Sequence, residues 1–207
     1  MEVFSYRTIR SLATGEYKEK GSKFLAFVYP VTSEDEVKAR ISELKKKYFD
    51  ARHHCYAYIL GADKSKFRAN DDGEPNHSAG DPILGQIRSK NLTNVLVVVV
   101  RYFGGVKLGV GGLISAYKTA AENALNNSTL LEKNVLQQYS IHYSYTNTRD
   151  VMKLVKDFEM EILNQSFEDE CKMEVTISLK SKKKFVEKIK LLNATGVSIS
   201  ILEIPLS

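Results

Sequence analysis

The sequence predicts an α+β protein of two domains, residues 1–129 and 130–207, and two observations carry that prediction. The apolar run Val95 to Val100 leads into a glycine-rich stretch and then into residues of helical spacing that end at Asn126, a strand, turn and helix in one segment. After Asn126-Asn127-Ser128-Thr129 the pattern changes to strand, helix, two strands, helix and strand, the β-α-β-β-α-β order of a ferredoxin-like domain.

With 207 residues, 43% hydrophobic and 27% charged, the chain can fill one or two ordinary cores and lacks the composition of a disordered segment. Its net charge of +5, from 30 basic and 25 acidic residues, permits polyanion binding but describes a mixed surface and not a basic arm. Cys55 and Cys171 are far apart and imply no disulfide framework, which fits a reducing cytoplasm. The N-terminus has no basic region followed by an apolar core, and the longest apolar run is too short to cross a bilayer. A cytoplasmic protein without a membrane partner is therefore expected.

Taken in order, Phe4, Tyr6 and Ile9 among polar neighbours predict a first strand, and Phe24 to Tyr29 another, with Gly15 and Gly21 as punctuation between them. Lys20 and Lys23 flank Gly21, either as a solvated turn or as an anion contact. Residues 33–48 form a helix on strong signals: Ser33 as N-cap, three carboxylates in the first turn, Val37, Ile41, Leu44 and Tyr48 on one face, and lysines in the last turn. Residues 52–60 alternate, with His53, Cys55, Ala57 and Ile59 on a core face. Arg52, His54, Tyr56 and Tyr58 lie on the other face, readable as an open platform for base stacking or as ordinary packing. Adjacent strand residues point oppositely, so His53-His54-Cys55 does not make a metal site. No zinc or calcium spacing occurs elsewhere, and no metal or cofactor is expected.

Asn70-Asp71-Asp72-Gly73-Glu74-Pro75 reads as a turn whose carboxylates are solvated, and Asp81-Pro82 as the N-cap and first residue of a short helix through Ile87. The strand 95–100 then enters Arg101-Tyr102-Phe103-Gly104-Gly105-Val106-Lys107-Leu108-Gly109-Val110-Gly111-Gly112, which holds five glycines, before a helix over 112–126. Free backbone N–H groups at that helix start, with Arg101 and Lys107 nearby, are the ingredients of an anion site. Neither nucleotide pattern fits: Lys107 is not placed as in a P-loop, and Ile114 stands where a dinucleotide fingerprint needs glycine. The glycines serve either packing and tight turns or a phosphate or RNA backbone.

These motifs also carry a family resemblance. Arg101 to Gly109, Asp71-Asp72-Gly73-Glu74-Pro75 and Ala79-Gly80-Asp81-Pro82-Ile83-Leu84, with Lys20-Gly21-Ser22-Lys23-Phe24 and Arg52-His53-His54-Cys55-Tyr56-Ala57, resemble the YigZ/IMPACT family across about residues 1–130. This chain has His77-Ser78 where the family often has Gly-Thr. The resemblance implies an N-terminal α/β sandwich like domain 2 of ribosomal protein S5, a ferredoxin-like C-terminal domain, and no assigned enzymatic reaction. Its eukaryotic members regulate translation through the activator of a kinase. This chain resembles the bacterial YigZ type, which lacks that pathway, so that partner is not carried over.

In the second domain, strands are expected at 135–145, 161–167, 171–179 and 197–204, with helices at 148–158 and 182–192. The strand Lys172 to Ile177 offers no aromatic ring to stack a base, which argues against sequence-specific RNA reading there. The lysines from Lys180 to Lys190 read as a solvated helix face.

The leading expectation is a non-catalytic, translation-associated regulator whose N-terminal domain binds RNA, the ribosome or a protein partner. Lys23, Arg52, His54, Tyr56, Arg101 and Lys107 are the expected contacts, and Gly104, Gly105, Gly109, Gly111 and Gly112 shape the backbone. The alternative is an enzyme acting on a phosphorylated small molecule, with Asp71, Asp72, Glu74 or His54 as acid or base. A concave pocket in which N–H groups converge beside a carboxylate or imidazole would favour it.

Overall fold

The computed structural model describes residues 2–167 and 170–205. It is a mixed α and β structure in which the chain divides into two compact units. One is Tyr6–Lys133; in the other, the first residues up to Ser5 join the segment from Asn134 onward.

The first unit begins with β1 (Ser5–Ile9), β2 (Ala13–Glu19) and β3 (Ser22–Pro30). The alternating apolar and polar residues of β2 went unread because Gly15 interrupts them. That glycine is there because a Cβ would lie 2.4 Å from the backbone nitrogen of Ala124. A two-residue turn joins β2 to β3, and both Lys20 and Gly21 have positive φ, as a tight hairpin of this handedness requires.

Helix α1 (Glu34–Lys47) matches its prediction: the Ser33 hydroxyl accepts from the Glu36 N–H at 3.2 Å, and Val37 and Leu44 are buried. Then come β4 (His53–Leu60), β5 (Lys66–Asn70), α2 (Gly80–Ser89), β6 (Val95–Tyr102), α3 (Gly109–Asn126) and β7 (Leu130–Asn134). Strand β5 was not foreseen, since Lys66-Phe67-Arg68-Ala69-Asn70 is an exposed edge with little apolar signal. Asp81 is not the N-cap of α2: Ala79 occupies that position, and Asp81 lies inside the first turn. Asp71 supplies the missing cap from a distance, its Oδ1 accepting from the Ala79 and Gly80 N–H groups at 2.9 and 2.8 Å.

The five strands order as β2-β3-β6-β4-β5, each antiparallel to its neighbours. Val95, Val97 and Val99 of β6 pack with Cys55, Ala57 and Ile59 of β4 beneath α2 and α3. Leu96, Val98 and Val100 pack with Tyr58 and Leu60 beneath α1. The central strand is thus apolar on both faces because helices cover both.

The second unit contains β8 (Leu136–Tyr143), α4 (Thr148–Asp157), β9 (Glu161–Phe167), β10 (Cys171–Ser178), α5 (Lys182–Ala194) and β11 (Ile199–Ile204). Its antiparallel sheet has the order β11-β8-β10-β9. Tyr139, Ile141, Met173 and Val175 pack against Val151 and Leu154 of α4 and Phe185 and Ile189 of α5, giving this unit its own core. Among the described residues no helix is long and apolar enough to cross a membrane.

Candidate anion-facing cleft of the N-terminal unit

Strand parity places the site. In β6, Arg101 continues the row Val95, Val97, Val99, so its side chain enters the face beneath α3, and its register partner across β4 is His53. A guanidinium on a core-facing row needs a carboxylate. Glu74 provides it: Arg101 Nη1 donates to Glu74 Oε1 at 2.6 Å, with the two side chains only 7% and 4% exposed. The Tyr117 hydroxyl of α3 donates to the same oxygen at 2.8 Å, and the Cys55 thiol lies 3.3 Å from that hydroxyl. Burial pushes the Cys55 thiol and the Tyr117 phenol well above their ordinary values, so both stay protonated at neutral pH.

This buried network opens into a cleft of about 450 Å3 between the β4 and β6 ends and the start of α3, lined by Arg52, His53, Glu74, Arg101, Phe103 and Lys107 together with the first turn of α3. His53 Nε2 is 4.0 Å from Glu74 Oε1. Helix α3 begins with no side-chain cap, so its leading N–H groups have no partner from a capping side chain. Arg101 Nε is buried without a hydrogen-bond partner.

The glycines divide by cause. A Cβ on Gly104 would lie 1.9 Å from the Gly21 carbonyl carbon, so that residue serves the close approach of two turns, and Gly105 and Gly109 have positive φ. Gly112 sits near the Leu108 side chain, where a Cβ would be 3.0 Å from Cβ of Leu108. Gly111 has an ordinary φ and nothing within 4 Å of a built Cβ, so neither packing nor backbone shape calls for glycine there.

Of the expected contact residues, Arg52, Arg101, Lys107 and Gly109 line the cleft. Lys23 does not line it; its ammonium lies 3.3 Å from Glu16 Oε2. His54 and Tyr56 face the other side of the sheet, and the platform reading of that face is corrected by the structure. Helix α1 covers it, Tyr58 is 6% exposed with its hydroxyl on Glu34, and His54 is buried. Burial lowers the His54 pKa against the pull of Asp72, favouring the neutral ring.

The turn 70–75 is likewise not a set of solvated carboxylates. Burial raises the Asp71 pKa, but the N–H groups of Gly80, His77 and Ala79 outweigh it and hold the carboxyl below its ordinary range. Asp72 Oδ2 accepts from the His54 N–H at 2.7 Å and Oδ1 meets Lys45 at 3.0 Å. Glu74, His53 and the apolar residues Pro75, Phe103, Leu108, Val110 and Leu113 line the cleft without belonging to the expected binding set. The signal for Glu74 was the charge of Arg101 on a core-facing row, which demanded a carboxylate without saying which one.

The Impact N-terminal domain family matches residues 20–125. An IMPACT family member from Haemophilus influenzae is 30% identical over 204 residues, covering 96% of this chain and 98% of its own length. The IMPACT family member YvyE of Bacillus subtilis is 35% identical over 144 residues, 70% of this chain and 66% of its own. YigZ of Escherichia coli is 32% identical over 151 residues, 72% and 74% of the two chains. A crystal structure of a protein described as hypothetical aligns over 100% of both chains with a TM-score of 0.76 and 28% identity.

Proposed function

This chain belongs to the IMPACT family, and from that premise we propose that it is a non-catalytic, translation-associated regulator that binds RNA through the cleft of its N-terminal unit. The observation carrying this reading is the meeting of three cationic side chains, Arg52, Arg101 and Lys107, at the uncapped start of α3. We also propose fold names: the strand order of the second unit, with its last strand beside the first, agrees with a ferredoxin-like domain, and the first unit agrees with a domain 2-like arrangement of ribosomal protein S5.

The test is fluorescence anisotropy with single-stranded RNA across a salt series, comparing the natural chain with the Arg52→Ala, Lys107→Ala double variant. Both side chains are exposed, so the variant keeps its core. Loss of two phosphate contacts should lower affinity by about tenfold or more and flatten the salt slope by about 1 to 2. Salt-independent binding, or a lysate partner whose capture survives nuclease, overturns the RNA reading.

A second reading, an enzyme acting on a phosphorylated small molecule, draws support from the concave site and from His53 4.0 Å from Glu74. Against it, Glu74 Oε1 already accepts from Arg101 and Tyr117, which favours a carboxylate that holds structure over one that moves a proton. Phosphate release from phosphorylated metabolites that is lost in Glu74→Gln while the variant remains folded would reverse this preference.

A further inference from the structure

Resting on the reading of the cleft as an RNA site, we infer that what it holds is the terminal phosphomonoester of a nucleotide and not an internal phosphodiester of the strand. Three features of the cleft point to this chemistry. The first is charge. Arg52, Arg101 and Lys107 bring three positive charges and Glu74 removes one, leaving +2 (3 − 1), to which the start of α3 adds roughly half a charge. A phosphomonoester carries about −1.5 to −2 at neutral pH and matches that balance, whereas a diester carries a single charge.

The second feature is the unused donor. The Arg101 side chain is 93% buried (100 − 7), its Nη1 is held by Glu74, and its buried Nε has no partner although the residue lines the cleft. A buried donor without an acceptor is costly, and a phosphate oxygen removes that cost when the guanidinium turns its Nε toward the cleft that Arg101 already lines. Gly109, the first residue of α3, lines the cleft with nothing within 4 Å of a built Cβ, so a ligand can come close to the backbone there.

The third feature is the rest of the lining. Pro75, Phe103, Val110 and Leu113 make an apolar wall, and Phe103 and Val110 are exposed at 45% and 53%. That wall offers nothing to a second phosphate but suits a base. The Arg101 guanidinium lies 5.7 Å from the Phe103 ring centroid, so a base stacked on that ring has its own phosphate beside the charge. The cleft volume, about 450 Å3, lies within the small-ligand range of about 300–1,000 Å3.

The monoester could belong to a free mononucleotide or to the end of an RNA strand. Affinity of the full chain is measured by anisotropy and calorimetry for one RNA sequence with a 5′-phosphate, a 3′-phosphate or hydroxyls at both ends, and for adenosine monophosphate and adenosine. One phosphorylated end should bind about tenfold or more tightly than the hydroxyl strand, the worth of one or two charge-assisted hydrogen bonds. Adenosine monophosphate should compete where adenosine does not, Lys107→Glu should erase the difference, and Phe103→Ala should weaken every probe that carries a base. A mononucleotide that binds as tightly as the strand identifies a free nucleotide as the ligand; a tighter strand identifies an RNA end. Equal affinity for phosphorylated and hydroxyl strands, still lost in Lys107→Glu, overturns the terminal-phosphate inference while leaving RNA binding at the cleft intact. No binding to any of these probes overturns both.

Discussion

Two ion clusters grow from neighbouring carboxylates of one turn, and they differ in what they leave undone. On the α1 side, Asp72 meets Lys45 and the His54 backbone, with Lys45 49% exposed in its side chain. On the α3 side, Glu74 meets Arg101 and Tyr117 with nearly all of the pair buried, yet Arg101 retains a donor without a partner at the wall of a cleft. The Asp72 cluster ties down a turn. The Glu74 cluster neutralises a buried cation that also lines a cleft. Charge in a sequence therefore says less than the depth and completeness of its pairing.

The largest expected effect sets these clusters against each other. Glu74→Ala leaves Arg101 buried without its counter-charge and should cost about 3–5 kcal/mol in urea unfolding, the usual penalty for breaking a buried pair. Asp72→Ala, whose partner is half exposed, should cost only about 1 kcal/mol. Equal losses would erase the distinction drawn between the clusters.

Next comes Asp71, which belongs to neither cluster but holds α2. Asp71→Ala should cost about 1–2 kcal/mol as a lost helix cap. Because its folded pKa is depressed, the stabilisation from this carboxylate is fully present above the unfolded value of about 3.9 and is lost as pH falls through the lower folded value. Acid unfolding of Asp71→Asn should accordingly show a flatter stability profile below about pH 4 than the natural chain. An unchanged profile would assign the acid sensitivity to other carboxylates.

A smaller effect should separate stability from binding. Gly111→Ala should raise stability by up to about 1 kcal/mol, because alanine is the better helix former and nothing crowds its Cβ. Gly111 does not line the cleft, so the same change should leave RNA affinity within about twofold; a larger loss would bring that helix turn into the binding surface. The smallest effect is expected on the far face, where Tyr56→Ser should alter RNA affinity by less than about twofold, a change under 0.5 kcal/mol. A larger loss would restore the stacking platform.

Much of the fold was legible because it depends on local chemistry. Helix α1 carries its cap, its charge order and its apolar stripe within one segment, and the elements from β8 to β11 follow periodicities that do not need each other to be read. Strands β2, β5 and β7 were missed for a nonlocal reason: Gly15 is set by contact with α3, β5 is held at the sheet edge by β4, and β7 is held by pairing with β1, rather than by apolar patterns of their own. In the cleft, Arg101 and Lys107 could be singled out by their place beside the glycines, but Glu74 could not be told apart from Asp71 and Asp72 by composition.

By itself, then, the sequence determined the mixed architecture, the family motifs and the presence of cations at the start of α3. Tertiary structure alone decided which carboxylate pairs with Arg101, that α1 closes the face bearing His54 and Tyr56, and that His53 looks into the cleft. The reason is physical: periodicity assigns a side chain to a face, whereas its charge, access and unused hydrogen bonds depend on what another part of the chain brings to that face.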